Sequence, residues 1–532
     1  MGNSQSPYKK LDDRSIVFNR DNDQVTFVEV QEKTFEEEAA NSSSSTNGII
    51  QPYQLHTRLC SQIRQFSFLL AICGVFGLAV FVAVISYLQI TEKVNNGTTT
   101  SCPLLPPSNS TAPSMEENSS SSLLFAENSL CLMEQSLNRS VDPCDDFYKF
   151  ACDKAINRPR RWNLMEDEVV NVGRNFVIEF LTTNSTNQNS SSVLPHSLKM
   201  AKLFYQACKI KVGETDCNDD LFHYFKYPLG HFVMDHFQLW NLASEIAENV
   251  KQSLVEMIEP IDWLSKSNKG QMISRLANMT FDIGMPRDFA DKDLVEKLYK
   301  SLNLTGTNYF EIMDQLRTFS IAREYQNLTG RLPDEWFPMA IFENNAFYSA
   351  QTNIVGLPTT ELLLARANWI DAINYGTLGT VIGHEISHSF ELSNVHEWFN
   401  TELDGPLPGD YIKQFQCLLG KYQVSRSNDD DFADQSGFKM AYRALRNRIG
   451  GDQAMTQLAD GAQFSNEQIF FIAFSQQYCH RKSPYFDFDG DQFHSQSDKR
   501  VLSSLKNSIE FAKAFNCKPG TQMNPVDKCE IW

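Results

Sequence analysis

One uncharged stretch constrains this 532-residue chain more than any other feature of its sequence. Residues 66–90 contain no Asp, Glu, Lys or Arg, and about 20 apolar residues suffice for a helix to cross a bilayer. A cleaved signal peptide would begin near residue 1, but here the polar residues 1–65 come first. A buried core helix of this length would carry a polar stripe. The sequence therefore predicts a single N-terminal transmembrane helix over residues 66–90.

The residues that flank this stretch predict its orientation. Arg58 and Arg64 precede it, which favours a cytosolic N-terminus. Nine Asn-x-Ser/Thr sequons follow the stretch and only Asn41 precedes it, as expected if the C-terminal side is glycosylated. Ten of the 12 cysteines also lie beyond the stretch, which favours disulfides in an oxidising compartment. We expect a single-pass type II protein of the plasma membrane with its C-terminal side extracellular.

Composition divides the rest of the chain into segments. Residues 1–65 are polar and of low complexity, so we expect a disordered cytoplasmic tail. Residues 91–129 are rich in Ser, Thr, Asn and Pro, which is typical of a glycosylated stalk. We divide the folded remainder into an N-terminal ectodomain segment, 130–330, and a C-terminal region, 331–532. The formal net charge of −18 argues against a nucleic-acid partner.

Hydrophobic periodicity predicts a mainly α fold with a small β component. Apolar residues recur at helical spacing in four long segments. These segments are Leu198–Cys208, Leu239–Leu264, Val295–Leu302 and Phe310–Tyr325. Residues 345–354, rich in aromatic and small side chains, are the candidate strand.

The segment that carries chemistry contains the pattern His-Glu-x-x-His, at His384, Glu385 and His388. Residues four apart share one face of a helix, so both imidazoles can bind one zinc ion. Glu385 would then face the open position of the metal, where it could accept a proton from an activated water molecule. The alternative is a chance occurrence on an amphipathic helix, but the apolar flanks Ile382 and Phe390 suit a buried helix.

An acidic segment farther along the chain offers a third ligand. Hydrolytic zinc sites use three protein ligands, and residues 429–434 include four aspartates. Asp430 and Asp434 are four residues apart, so one could bind zinc while the other accepts a hydrogen bond from a ligating histidine. The alternative is a solvated acidic helix N-terminus, which the helix dipole would favour. The residues alone leave both interpretations open.

Further motifs occur in a fixed order from residue 131 to the C-terminus. They are the cysteine-rich segment 131–152, Trp263, residues 283–286, the sequence NAFY at 345–348, HEISH at 384–388, DDFAD at 430–434 and the terminal segment 510–532. Together these motifs resemble the neprilysin and endothelin-converting enzyme family of zinc peptidases. The resemblance implies a thermolysin-like zinc peptidase catalytic lobe within 331–532 and a reduced second helical lobe within 130–330.

The resemblance implies a role for each matching residue of the metal site. His384, His388 and Asp430 would be the ligands of one Zn²⁺ per chain, and Glu385 would be the general base. Asp434 would orient a ligating histidine.

The resemblance also implies residues that contact a substrate. Asn345 and Ala346 would hydrogen-bond the backbone of a bound peptide. His494 would stabilise the tetrahedral oxyanion, and Arg500 would bind a substrate carbonyl and brace the site. On composition alone, His494 and Arg500 would be ordinary surface residues.

The same resemblance implies a set of disulfides. Three pairs follow the family pattern and tie the start of the ectodomain to its end, namely Cys144–Cys517, Cys152–Cys479 and Cys417–Cys529. Cys102–Cys131 and Cys208–Cys217 complete the predicted set.

The sequence departs from the family pattern in several places. Asp430 stands where the family has a glutamate, so the main chain must approach the metal more closely by about 1.5 Å. Glu391 stands where an aspartate is usual. A long stretch of the second lobe is missing between Cys217 and Phe237, which leaves the site more open.

Two functions therefore remain to be weighed. The first is a membrane-anchored extracellular zinc metalloendopeptidase that hydrolyses short peptides by means of zinc-activated water. The second is a catalytically impaired, neprilysin-like protein that binds peptides or other partners. Apart from peptides and the lipid bilayer, the resemblance leaves a homodimer open as a further association.

Overall fold

The computed structural model describes most of the chain beyond residue 129. The described residues are 130, 133–156, 166–182, 194–211, 214–306, 308–328, 341–343, 345–398, 409–421, 428–450, 454–458, 461–479, 495–529 and 532. The chain divides into two units, residues 1–99 and 100–532, and every described residue belongs to the second. The predicted tail, transmembrane helix and stalk lie outside the described residues. Within the described ranges, no helix combines the length and apolar character that a membrane crossing requires.

Helices dominate the described residues. The first group is α1 Phe147–Ile156, α2 Glu166–Thr182, α3 His196–Lys211, α4 Glu214–Tyr224, α5 Lys226–His236, α6 Leu239–Ile258, α7 Lys266–Ala277, α8 Lys292–Tyr299 and α9 Tyr309–Leu328. The second group is α10 Asp371–Asn374, α11 Thr380–His388, α12 Leu392–Trp398, α13 Gly409–Lys421, α14 Asn428–Ile449, α15 Asn466–Gln476, α16 Ser497–Lys506 and α17 Ile509–Ala514. Short 3₁₀ segments cover Arg287–Ala290 and Glu361–Leu364, and a π-helical segment covers Tyr375–Gly379.

The strands are β1 Thr280–Gly284, β2 Phe347–Ser349, β3 Ile354–Pro358, β4 Met455–Gln457 and β5 Gln463–Ser465. They form one three-stranded sheet and one two-stranded sheet. The prediction of a mainly helical fold with a small β component is therefore confirmed.

Local sequence explains several helix boundaries. All four predicted helical segments fall largely within helices, namely α3, α6, α8 and α9. Helix α6 ends at Ile258, six residues before the predicted end at Leu264, because Pro260 cannot continue the hydrogen-bond ladder. Helix α15 begins with a capping box in which Ser465 and Gln468 bond each other's backbone N–H groups.

The prediction of one strand over residues 345–354 was wrong. The chain forms two short strands there, β2 and β3, which pair antiparallel with Phe347 opposite Gly356. The intervening turn reverses the chain because Asn353 adopts a left-handed conformation with φ of 55°. A hydrogen bond of 2.8 Å from the Thr352 hydroxyl to the Ser349 hydroxyl lies within the same turn.

The three-stranded sheet has the order β1-β3-β2. β1 runs parallel to β3, with Phe281 opposite Val355, and β2 is an edge strand. The sheet thus joins segments from both sides of residue 330. Helix α11 packs against β2, β3 and α14.

Helices α11 and α14 approach each other closely at two glycines. A Cβ atom added at Gly383 would lie 2.4 Å from the Gly437 carbonyl oxygen, and one added at Gly437 would lie 2.4 Å from the His384 nitrogen. No side chain fits in that space, so glycine at both positions permits the contact. The contact brings the acidic start of α14 towards the histidines of α11.

Four of the five implied disulfides are bonded in the structure: Cys144–Cys517, Cys152–Cys479, Cys208–Cys217 and Cys417–Cys529. The first two attach α1 and the segment just before it to the C-terminal part of the fold, across sequence separations of 373 and 327 residues. Cys102–Cys131 lies outside the described residues.

Candidate metal centre

Two histidines of α11 face the same space beside α14. The rings of His384 and His388 have centroids 4.6 Å apart and are nearly perpendicular, at 86°. His384 is 8% exposed, so the site lies within the fold rather than on its surface. The helical spacing predicted for the pair therefore brings the two rings together, as one metal ion requires.

The third group is Asp430, in the first turn of α14. Its Oδ1 atom lies 3.5 Å from His384 Nε2 and 3.9 Å from His388 Nε2. Ligands at about 2.1 Å from a tetrahedral zinc ion lie about 3.4 Å from each other, so these spacings are close to those of a zinc site. Asp430 therefore reaches the histidines although its side chain is one methylene shorter than glutamate.

The other ring nitrogen of His384 is held by a buried carboxylate. His384 Nδ1 lies 2.8 Å from Asp434 Oδ1. Arg500 donates two hydrogen bonds of 2.6 Å to the same carboxylate, one from Nε and one from Nη2. Burial alone would raise the pKa of Asp434, but Arg500 and His384 hold that pKa well below its ordinary value. Asp434 thus stays ionised, and the solvated-surface interpretation fails for a residue that is 3% exposed.

His388 has its own carboxylate, a role that was not predicted from the sequence. His388 Nδ1 hydrogen-bonds Glu391, which is 5% exposed. Asn394 donates at 3.3 Å to the other carboxylate oxygen of Glu391. The only sequence signal for this role was the spacing of three residues between His388 and Glu391, which places both near one face of a helix.

These carboxylates set the protonation of both imidazoles. Burial alone would lower the pKa of His384, but hydrogen bonds to Asp430 and Asp434 raise it to about 10. Burial alone would also lower the pKa of His388, but the hydrogen bond to Glu391 raises it above its ordinary value. A carboxylate bonded to Nδ1 keeps the proton on that nitrogen, so a metal ion that binds Nε2 would have to displace only the Nε2 proton. Both Nε2 atoms face Asp430.

The residues present fit a zinc ion. Two imidazoles and one carboxylate, with no thiolate, form the donor set of hydrolytic zinc sites, which leave a position open for water. The ligand atoms of His384, His388 and Asp430 all lie within 4.8 Å of one another. Glu385 is 6% exposed, and its Oε2 atom lies 3.9 Å from His388 Nε2, beside the point on which the ligands converge.

The residues expected to contact substrate are only partly brought together at the site. Asn345 is exposed and Ala346 is buried, directly before the edge strand β2 that packs against α11. Arg500 is not an ordinary surface residue, since its side chain is 15% exposed and it pairs with Asp434. His494 lies outside the described residues. Its neighbour Ser495 is buried and donates to Asp431 Oδ2 at 3.1 Å.

The region that contains this site is similar to a known family of peptidases. The model of Peptidase family M13 matches residues 345–531. Residues 345–531 therefore resemble an M13 peptidase domain. The M13 match and the curated relatives confirm the resemblance to neprilysin and endothelin-converting enzyme. Helix α11, helix α14 and Arg500 all lie within the matched residues.

The curated relatives match only part of their own length. Neprilysin-2 of Caenorhabditis elegans is 28% identical over 333 residues, which cover 57% of this chain and 44% of that protein. Endothelin-converting enzyme 1 of Bos taurus is 28% identical over 55% of this chain and 41% of its own. Human neprilysin is 27% identical over 55% of this chain and 42% of its own. The matched region thus spans less than half the length of these relatives.

Solved structures show weaker likenesses. The Mycobacterium tuberculosis zinc metalloprotease ZMP1 in an open state has a TM-score of 0.48 and 17% identity, covering 63% of this chain and 56% of that chain. A chain of the Haemonchus galactose containing glycoprotein complex has a TM-score of 0.47 and 21% identity, covering 61% of this chain and 55% of that chain.

Proposed function

We propose that this protein is a membrane-anchored extracellular zinc metalloendopeptidase that hydrolyses peptide bonds of short peptides. The observation that carries the proposal is the convergence of His384, His388 and Asp430 next to Glu385. Each histidine has a carboxylate on its far nitrogen, which is the arrangement that metal-binding histidines require.

In this proposal the residues of the chain divide the work. His384, His388 and Asp430 would hold the zinc ion, which when bound polarises water and lowers its pKa. Glu385 accepts a proton from the attacking water and passes it to the leaving amine. Asp434 and Glu391 keep Nδ1 of each histidine protonated, so that both imidazoles remain oriented throughout.

The substrate would lie along the edge strand β2. An extended peptide can add to an exposed sheet edge through main-chain hydrogen bonds, which suits the positions of Asn345 and Ala346 before β2. His494 would stabilise the oxyanion. The two hydrogen bonds from Arg500 to Asp434 support the bracing role proposed for this arginine.

The decisive experiment measures zinc content and peptide cleavage on the purified full chain in detergent. We expect one zinc ion per chain and cleavage of some members of a panel of short peptides. The Glu385→Gln variant should keep its zinc and lose about 10²- to 10⁴-fold in kcat, the range for removal of a general base. Absence of zinc, or equal cleavage by the Glu385→Gln variant, would contradict the proposal.

A second candidate function is a catalytically impaired protein that binds peptides or partners. The observation that favours it is the short connection between Cys217 and Phe237, where the family pattern has a long stretch of the second lobe, because a reduced lobe leaves the site less enclosed. Zinc binding and peptide binding without cleavage would favour this function. Equal peptide affinity of the parent and of the Glu385→Gln variant would then be expected.

The proposed anchoring and orientation rest on the sequence alone. The uncharged stretch 66–90 supports the transmembrane helix, and the sequons beyond it support an extracellular C-terminal side. The protein should resist alkaline carbonate extraction from membranes and lose apparent mass on treatment with an N-glycosidase. Extraction by carbonate would argue against the anchor, and unchanged mass would argue against the orientation.

A further inference from the structure

Tyr478 contacts the buried pair that holds the first histidine. The Arg500 guanidinium carbon lies 4.7 Å from the centre of the Tyr478 ring, a distance at which a cation is attracted to the face of an aromatic ring. The Tyr478 hydroxyl lies 3.4 Å from Asp434 Oδ1. One side chain thus touches both members of the pair whose carboxylate fixes Nδ1 of His384.

The position of Tyr478 is in turn fixed from helix α1. The Tyr148 hydroxyl donates a hydrogen bond of 2.7 Å to the Tyr478 carbonyl oxygen. The next residue, Cys479, forms the disulfide with Cys152, one turn farther along the same helix. The backbone of Tyr478 is therefore attached to α1 at two adjacent points.

We propose that Tyr478 is a positioning residue of the metal centre. Its ring holds the Arg500 guanidinium in the plane that donates both hydrogen bonds to Asp434. Asp434 then orients His384, so the effect reaches the metal through two intermediates. The proposal rests on the proposed function in one respect, because it takes His384 as a metal ligand.

The Tyr478 ring restricts the conformational freedom of the Arg500 side chain. Arginine has several rotatable bonds, and a paired arginine must be kept in one rotamer for its bidentate geometry to persist. An aromatic ring on one face of the guanidinium restricts those rotamers without competing for its hydrogen bonds. A leucine at position 478 would fill much of the space but supply no such face.

The test measures metal affinity of the full chain with Co²⁺ and Zn²⁺ by competition against a chelator, together with the Co²⁺ absorption spectrum. Tyr478→Leu should weaken affinity roughly tenfold, at the low end of effects for residues that support metal ligands, and should alter the Co²⁺ spectrum. Tyr478→Phe keeps the ring, so its metal affinity should stay within about twofold of the parent. The hydroxyl that it removes makes only a long contact of 3.4 Å with Asp434.

A matched control separates positioning from general packing. Phe474 lies in the same segment, and its ring centre is 5.5 Å from that of Tyr478. Phe474→Leu removes a ring of similar size, so it should lower the melting temperature but leave metal affinity and the Co²⁺ spectrum unchanged. Tyr148→Phe, which removes the hydrogen bond to the Tyr478 carbonyl, should shift affinity in the same direction as Tyr478→Leu by a smaller factor. This milder variant keeps the test decisive if Tyr478→Leu does not fold.

The outcomes discriminate between the two proposals. Parent-like affinity and spectrum in Tyr478→Leu would overturn the positioning role, as would equal weakening by Phe474→Leu. If Tyr478→Leu does not fold, parent-like affinity in Tyr148→Phe would overturn it. A parent that binds Co²⁺ but cleaves no peptide would contradict only the peptidase proposal. A parent that binds neither metal would overturn both.

Discussion

Arg500 at the candidate metal centre and Arg366 before α10 are both largely shielded from solvent, yet different groups hold them. Arg500 donates two hydrogen bonds to the Asp434 carboxylate. Arg366 is 8% exposed and donates to the carbonyls of Leu363 and Ala365. Among the described residues no carboxylate pairs with Arg366, and its guanidinium instead lies 4.7 Å from the centre of the Phe237 ring.

The two environments move the pKa values in opposite directions. Burial alone would lower the pKa of Arg500, but Asp434 raises it well above its ordinary value. Burial lowers the pKa of Arg366 to about 9, so this side chain still carries its charge at neutral pH. Arg500 is therefore one half of a pair whose members depend on each other. Arg366 is held by backbone carbonyls and the face of the Phe237 ring. Its replacement by an apolar residue therefore leaves no buried carboxylate without its counter-ion.

The largest effect should follow Asp434→Asn. This change leaves Arg500 charged and buried without its carboxylate, which typically costs about 3–5 kcal/mol of folding stability. The free energy of unfolding from urea denaturation measures this loss. Zinc affinity should fall about 10- to 100-fold in addition, because His384 loses its orienting carboxylate. A loss of stability below about 1 kcal/mol would show that the pair is not coupled as described.

Glu391→Gln should have a smaller effect on the other side of the metal centre. The amide oxygen can still accept a hydrogen bond from His388 Nδ1, so the change removes the charge and leaves the contact in place. We expect zinc affinity to fall by roughly tenfold or less, and stability to fall by about 1 kcal/mol. A loss of stability as large as that of Asp434→Asn would mean that the charge of Glu391 matters as much as the Asp434–Arg500 pair.

Arg366→Met should change stability least among these substitutions. Replacement of a buried charge by an apolar side chain of similar length is often neutral, and the lost cation–aromatic contact contributes about 1 kcal/mol. We expect a change within about 1 kcal/mol by urea denaturation, with zinc affinity unchanged. A loss comparable to that of Asp434→Asn would remove the distinction between the two arginines.

A weak pH dependence should come from His231, a buried histidine of α5. Its Nε2–H donates to the Phe289 carbonyl at 2.8 Å, and it is 6% exposed. Burial lowers its pKa below the ordinary value, so the unfolded chain binds the proton more readily than the folded one. Its contribution to stability is present above about pH 6.5 and is lost as the pH falls below that value. The His231→Gln variant should show a flatter dependence over this window in urea denaturation.

The sequence predicted the local features of the metal centre better than the supporting contacts. The spacing of His384 and His388, and that of Asp430 and Asp434, follows from helix geometry, so the sequence was enough to place each pair on one helix face. The turn that splits residues 345–354 into two strands depends on one left-handed residue, Asn353, which a strand pattern does not reveal.

Contacts between distant segments could not be predicted in the same way. Nothing in local sequence places Tyr478 against Arg500, because that contact requires α1, α15 and α16 to be in position. The resemblance to the peptidase family predicted that Arg500 braces the site. It did not predict the two hydrogen bonds from Arg500 to Asp434. The role of Glu391 was available from its spacing to His388 and was missed because it appeared only as a departure from the family pattern.

The disulfides Cys144–Cys517 and Cys152–Cys479 cannot form until the end of the chain has been synthesised. Cys144 leaves the ribosome 373 residues before its partner Cys517, an interval of roughly 20 to 75 s at ordinary rates of synthesis of 5–20 residues per second. During that interval the first helix of the fold has no C-terminal surface to pack against, while Cys144, Cys152 and other thiols are available for wrong pairings. In the proposed extracellular orientation, the secretory machinery would have to protect or reshuffle these thiols until the last residues arrive. A premature stop codon just before Cys517 should then cause retention of the truncated chain, even if every residue of the candidate metal centre has been translated.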